Sequence, residues 1–279
     1  SDDGAGAGGS LPAAPGTDGV SNLLPHLPVE AILAAYEKAG GDEIKSGKFE
    51  SLESSAALAA NAFGYFLSSI GNETRAAEFP VRGQFAFLEL PIQSIWLEKQ
   101  MRFPWSGGLH PWLDAVVENE QWLVGIESKR YEPFRIKRAS VFSDAYSRPV
   151  WGADMLPFER MRDALSEGSI KFRHLDAVQL VKHAFGIRTQ ATNHKKRSAL
   201  VYVYGEPCAW PNGRAIGLAD IARHREEVSR FSDMVSGAEV KFSALSYREL
   251  MNLFAASPHV LLREHAGLVT ASYLGEQYA

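Results

Sequence analysis

The apolar positions change their spacing along the chain, and each change marks an element. Residues 51–70 are rich in Ala and Leu, with apolar Leu52, Leu58, Ala59, Ala62, Phe63 and Phe66. That spacing predicts a buried helix, stopped by Gly71-Asn72. Upstream, Pro28 and the run from Val29 to Tyr36 predict a short helix that Gly40-Gly41 ends. Residues 43–49 continue as helix or turn. Residues 84–90 and 94–102 show partial alternation, the period of a strand. Two short apolar runs then flank the polar turn Glu118-Asn119-Glu120-Gln121, which is a hairpin signal. Pro133 opposes any continuation of its second strand.

The second half alternates element types. Residues 139–157 read as an irregular insertion with short helical pieces. Helices are expected over 157–167 and 171–186, the latter with apolar Leu175, Val178, Leu180, Val181 and Phe185. β-branched and aromatic content marks residues 198–204 as a buried strand. An amphipathic helix over 219–235, a strand over 240–245 and a helix over 247–256 follow. Residues 259–279 hold an apolar piece and a polar tail. Residues 1–21, rich in Gly, Ala and Ser, read as a flexible tail. Residues 22–279 then form a single domain. No internal repeat is visible. The order of elements predicts an α/β (α+β) fold, a mixed central sheet flanked by helices.

The hairpin carries the chemistry. Asp114 sits inside its first apolar run, and Glu127-Ser128-Lys129 ends its second. Side chains alternate along a strand, so Glu127 and Lys129 share a face and Ser128 points away. If Asp114 lies across the ladder from Glu127, two carboxylates and an ammonium converge. Two oxygen ligands beside a cation suit a magnesium site that hydrolyses phosphodiesters.

Asp114 followed by Glu127-Ser128-Lys129, with twelve residues between the acids, resembles the signature of the PD-(D/E)xK (restriction-endonuclease-like) nuclease superfamily. Trp112-Leu113-Asp114, then Gly125-Ile126-Glu127-Ser128-Lys129 and Glu132-Pro133-Phe134, are similar to a bacterial branch with an ESK-type motif. The likeness extends upstream over residues 54–63 and downstream through Gln179-Leu180 to residues 242–247. It implies a core of helix, three-stranded antiparallel meander, helix and strand. It also implies a metal-dependent nuclease acting on DNA, with Mg2+ as cofactor and Mn2+ as a substitute. Asp114 and Glu127 are then the metal ligands. Lys129 stabilises developing charge and orients the attacking water.

A further acid from the first core helix often completes such a site. Glu53 joins Asp114 and Glu127 in the expected metal set, although its place also suits the helix dipole. Glu43, Glu50 and Glu98 remain open for the same role. Gln179 is a candidate catalytic residue on the helix after the hairpin. The Gln and Tyr pair that superfamily exonucleases carry at i and i+4 is broken here by His183, which reads as structural. Glu132 is expected to anchor the strand end or to pair with Arg130 or Arg135. Asn61, inside a buried helix, needs hydrogen-bond partners. Ser54-Ser55 reads as a helix start. Trp105 and Trp112 read as core.

Composition narrows the class. The chain has 279 residues, with 46% hydrophobic and 22% charged residues, ordinary for a globular protein. No apolar run is long enough to span a bilayer, so no membrane partner is expected. Cys208 is alone, which excludes a cysteine-cluster zinc site and fits a cytoplasmic location. No charged segment followed by an apolar one opens the sequence. The net charge of −4 argues against a strong non-specific nucleic-acid binder. Local basic clusters nevertheless stand at Lys129, Arg130, Arg135, Lys137 and Arg138, and at His194 to Arg197. There is no Walker loop, Gly-x-Ser-x-Gly elbow or dinucleotide fingerprint. Two rival readings follow. One is an inactive member of the fold that binds nucleic acid or protein. The other is an assembly component that forms a homo-oligomer or docks a partner through Leu245, Tyr247, Leu250 and Leu253.

Overall fold

The computed structural model describes residues 21–40, 43–67, 75–136 and 140–275. The expected tail up to residue 20, the Gly71-Asn72 stop, Gly41, and Lys137 and Arg138 lie outside the described residues.

Five strands form one sheet in the order β1-β2-β3-β4-β5. They are β1 (Ser94–Gln100), β2 (Trp112–Glu118), β3 (Trp122–Lys129), β4 (Arg197–Tyr204) and β5 (Val240–Ser246). The first three run antiparallel; β4 and β5 join β3 in parallel. This mixed sheet has helices on both faces, as expected of a restriction-endonuclease-like core. One face packs on α1 (Val29–Ala39), α2 (Ser55–Gly64), α6 (Tyr247–Ala255) and α7 (Val260–Tyr273), burying Leu97, Val117, Val124, Ile126, Val201 and Leu245 among them. The other packs on α3 (Leu156–Ser166), α4 (Ala177–Asn193) and α5 (Leu218–Met234), burying Val116, Leu123, Leu200 and Tyr202.

The hairpin turn is held by one side chain. Asn119 Oδ1 accepts from the N–H of Gln121 and of Trp122, and its Nδ2 donates to the carbonyls of Leu88 and Leu90. Gly125 keeps β3 bare enough for α4 to approach. A Cβ there would stand 2.3 Å from Leu113 Cδ1 and 2.8 Å from Ile187 Cδ1.

Four boundaries differ from the expectation. Residues 84–90 are not a strand: Gly83–Leu88 is a 3-10 helix. Its buried Phe85 and Leu88 stand three apart, the repeat of that helix. The helix expected over 51–70 begins only at Ser55, because the Ser54 side chain caps it by accepting from Ala57 N–H. The described helix ends at Gly64. The helix expected over 171–186 begins at Ala177, where Asp176 caps Gln179 N–H, and runs on to Asn193. Residues 259–279 supply a true helix, α7, rather than a loose apolar piece. The insertion around 139–157 is irregular where described, with 3-10 turns at Asp144–Ser147 and Ala153–Met155. Among the described residues, no helix is long and apolar enough to cross a membrane.

Candidate active site

Strand register builds the site. Ala115 pairs with Ile126, so the next step of that ladder sets Asp114 across from Glu127. On the other side, Leu97 pairs with Ala115 and Lys99 with Leu113, and the Glu98–Asp114 step between them is skipped. Glu98 has φ 47° there, a left-handed backbone that is strained for a residue with a side chain. Glu127 pairs with Tyr202 of β4. Glu98, Asp114 and Glu127 thus make a row of acids on neighbouring strands, at the step where β1–β2 pairing is skipped and β2–β3 pairing has ended.

The three acids of this row, with Lys129, line a pocket of about 470 Å3. Glu43, Glu53, Glu132, Trp112, Arg135 and Gln179 share it. Asp114 Oδ2 accepts from Ser128 N–H at 2.6 Å, so its carboxylate continues the ladder where backbone pairing ends. Glu127 is 2% exposed, and each of its oxygens meets a basic side chain. Lys129 Nζ stands 2.5 Å from Oε1, and His183 Nδ1 stands 3.0 Å from Oε2.

Proton affinities divide along those contacts. Burial alone would raise the Glu127 carboxyl, but Lys129 and His183 outweigh it and hold it at about 2. Asp114 moves the other way. Burial and the facing Glu127 charge push it well above the usual carboxylate range, with Lys129 opposing and Glu98 adding. Burial, Glu127 and Glu43 push Glu98 up to about 7, against Lys129. Burial disfavours the charged form of Lys129, yet Glu127, Asp114 and Glu132 raise it above an ordinary lysine. Its ammonium keeps its proton.

The remaining expected residues fall into place around this row. Glu53 lines the pocket, but its Oε2 is 2.5 Å from Arg135 Nη2. Glu50 accepts from Ser21. Glu43 faces Glu98 electrostatically. Glu132 does anchor the strand end: Oε2 accepts from Arg130 N–H at 2.8 Å and Oε1 from Ser55 Oγ at 2.5 Å. Arg130 is buried and donates to the carbonyls of Leu52 and Tyr273. Asn61 is saturated by Leu24 N–H, the carbonyls of Asn22 and Ala57, and Tyr273 Oη. Trp105 stacks on Phe103 as core. Trp112 departs from that expectation: it is 37% exposed at the pocket wall, where β2 starts. Gln179 is half-buried, and His183 follows one turn later on α4. Their i, i+4 spacing was the available signal that His183 belongs to the site.

Among the described residues, no group of three or more His, Cys, Asp or Glu side chains is placed to hold a metal ion. The pocket's acidic side chains nonetheless offer carboxylate oxygens, the donor type that a hard divalent cation takes. Burial first, and then the carboxylates that face them, push Asp114 and Glu98 toward neutrality, and a cation between such oxygens would relieve the second of these.

Against known proteins, residues 11–269 match the model of a family described as Restriction Endonuclease associating with ARP. No curated protein and no solved structure matches the chain.

Proposed function

The chain belongs to the family described as Restriction Endonuclease associating with ARP, and from that premise we propose that it is a magnesium-dependent nuclease hydrolysing the phosphodiester bonds of DNA. The observation that carries this reading is the cross-strand row of Glu98, Asp114 and Glu127 ending beside a protonated Lys129. Asp114, Glu127 and Glu98 would hold the metal, and Glu53 pairs with Arg135 in the free protein. A bound magnesium ion would neutralise the crowded carboxylates and polarise the scissile phosphate. Manganese, another oxygen-seeking cation, would serve in its place.

The protein groups have separable tasks. Lys129 keeps its proton, so it does not act as a base. It offers positive charge and hydrogen bonds to the phosphate oxygens as charge builds on them. His183 and Lys129 hold the two oxygens of Glu127 from opposite sides. Gln179, at the pocket wall, would hydrogen-bond water or a phosphate oxygen. Glu132 fixes the end of β3 and so the reach of Lys129. The family description also supports a partner, ARP, for the working assembly.

The test is cleavage of linear, circular and single-stranded DNA with magnesium or manganese. Wild type should cut, and Asp114→Ala, Glu127→Ala and Lys129→Ala should each lose roughly 100-fold or more, the scale of removing one charge-stabilising group. Unchanged metal-dependent cleavage by the triple variant would overturn the assignment. A wild type that binds DNA without cutting it, alone or with partner, would favour the inactive reading.

A further inference from the structure

Three cavities meet at one side chain. Arg135 lines the catalytic pocket, a recess of about 270 Å3 beside Glu127 and Tyr202, and a groove of about 570 Å3 that leads away over Phe134 and Phe172. Lys171 and Arg173 stand exposed along that groove. The N-terminal residues of α4, Ala177 and Val178, also line it, and a helix N-terminus favours negative charge. Its two carboxylates are engaged. Asp176 caps α4, and Asp220 faces His174 at 3.3 Å and Arg173 at 3.8 Å. Among the described residues, Lys171 has no ion pair. Cations interleaved with aromatic rings suit a phosphodiester chain.

The catalytic pocket itself repels such a chain. Glu43, Glu53, Glu98, Asp114, Glu127 and Glu132 line it, against Lys48, Lys129 and Arg135, and Lys129 is already paired with Glu127. Arg135 is the cation at the junction. Its guanidinium side chain is 47% exposed and its partner Glu53 30%, and ion pairs this open are weak. A phosphate offers the same two-oxygen geometry as the carboxylate it would displace.

We propose that the groove carries the nucleic-acid strand leading into the catalytic pocket, with Lys171 and Arg173 on its phosphates. At the junction, Arg135 exchanges Glu53 for the phosphate next to the cleavage point. The inference rests on the nuclease reading for the identity of the chain that is bound.

The experiment is fluorescence anisotropy of a labelled single strand and its duplex, with calcium in place of magnesium, over a range of salt. Glu53→Gln frees Arg135 and should tighten binding about two- to fivefold, the worth of an exposed pair. Arg135→Ala should weaken it about tenfold, the scale of one charged hydrogen bond. Lys171→Ala with Arg173→Ala should weaken it and flatten the logarithmic salt slope by about two for duplex, roughly one for each phosphate left unneutralised. Weaker metal binding by Glu53→Gln would make Glu53 a ligand and overturn the exchange. An unchanged affinity and slope in the double variant would overturn the groove. An acidic protein competing for the wild type with no nucleic acid bound would do the same. Cleavage judges the nuclease reading separately, since these variants are read by binding alone.

Discussion

A buried carboxylate depends on which charges face it, and Glu127 and Glu98 stand on opposite sides of that rule. Glu127 meets Lys129 and His183, which outweigh its burial and hold it at about 2; burial, with Glu127 and Glu43 adding, raises Glu98 to about 7. A folded pKa above the unfolded one means that the folded protein binds the extra proton. Glu98 therefore contributes stability that is present below about pH 4.5 and lost as the pH rises through about 7. Each unit of such a shift weighs about 1.4 kcal/mol against the ionised form. In EDTA, Glu98→Gln should melt higher than wild type at pH 8 and about equally at pH 4. Thermal melts across that range check it; a variant that melts lower at pH 8 would show that the Glu98 charge is already compensated. The strained φ of 47° at Glu98 remains in the Gln variant, so it does not confuse the comparison.

At the scale of elements, α2 and α7 are tied together by one amide. Asn61 joins the segment at Asn22 and Leu24 to α2 and to Tyr273 of α7. Asn61→Ala leaves a buried N–H and carbonyl without that partner and should destabilise by about 2–4 kcal/mol in urea unfolding. A loss below about 0.5 kcal/mol would mean that those groups find other partners. The need was legible in the sequence, since a buried amide requires partners, but their identity was not. The hairpin was legible in full, because alternation and the turn around Asn119 both act within a dozen residues. The 3-10 segment at Gly83–Leu88 was not: Phe85 and Phe87 alternate like a strand, while the buried pair is Phe85 with Leu88. The start of α4 was misplaced because Leu175 continues the apolar period past the cap at Asp176. That Asp114, Glu127 and Lys129 converge on one pocket was readable from spacing. The prominence of Glu98 over Glu53 was not, because it rests on a skipped ladder step and on an ion pair to Arg135, both set by the fold.

At the scale of the whole molecule, a chain of net charge −4 gathers six carboxylates around one pocket. Two of them, Glu98 and Asp114, are held above the usual carboxylate range, so their ionised forms work against folding unless a further cation enters the pocket. A metal that binds the folded state alone adds stability as its concentration rises, about 2.7 kcal/mol at 100 times its dissociation constant. For a protein near this size that is a rise in Tm of roughly 5–10 °C. Magnesium should raise the wild-type Tm by this order, and EDTA should reverse it. A double variant, Glu98→Gln with Asp114→Asn, separates charge from fold. With the repulsion removed, it should melt above wild type in EDTA at pH 8. With the proposed ligands removed, it should gain little from magnesium, so the two melting curves should approach or cross as metal is added. Calorimetric titration of magnesium into both proteins gives the same comparison without heating. If wild type showed no heat and no rise in Tm, the carboxylate row would be a strained anionic pocket that takes no metal by itself. The cation would then have to arrive with the nucleic acid or the partner.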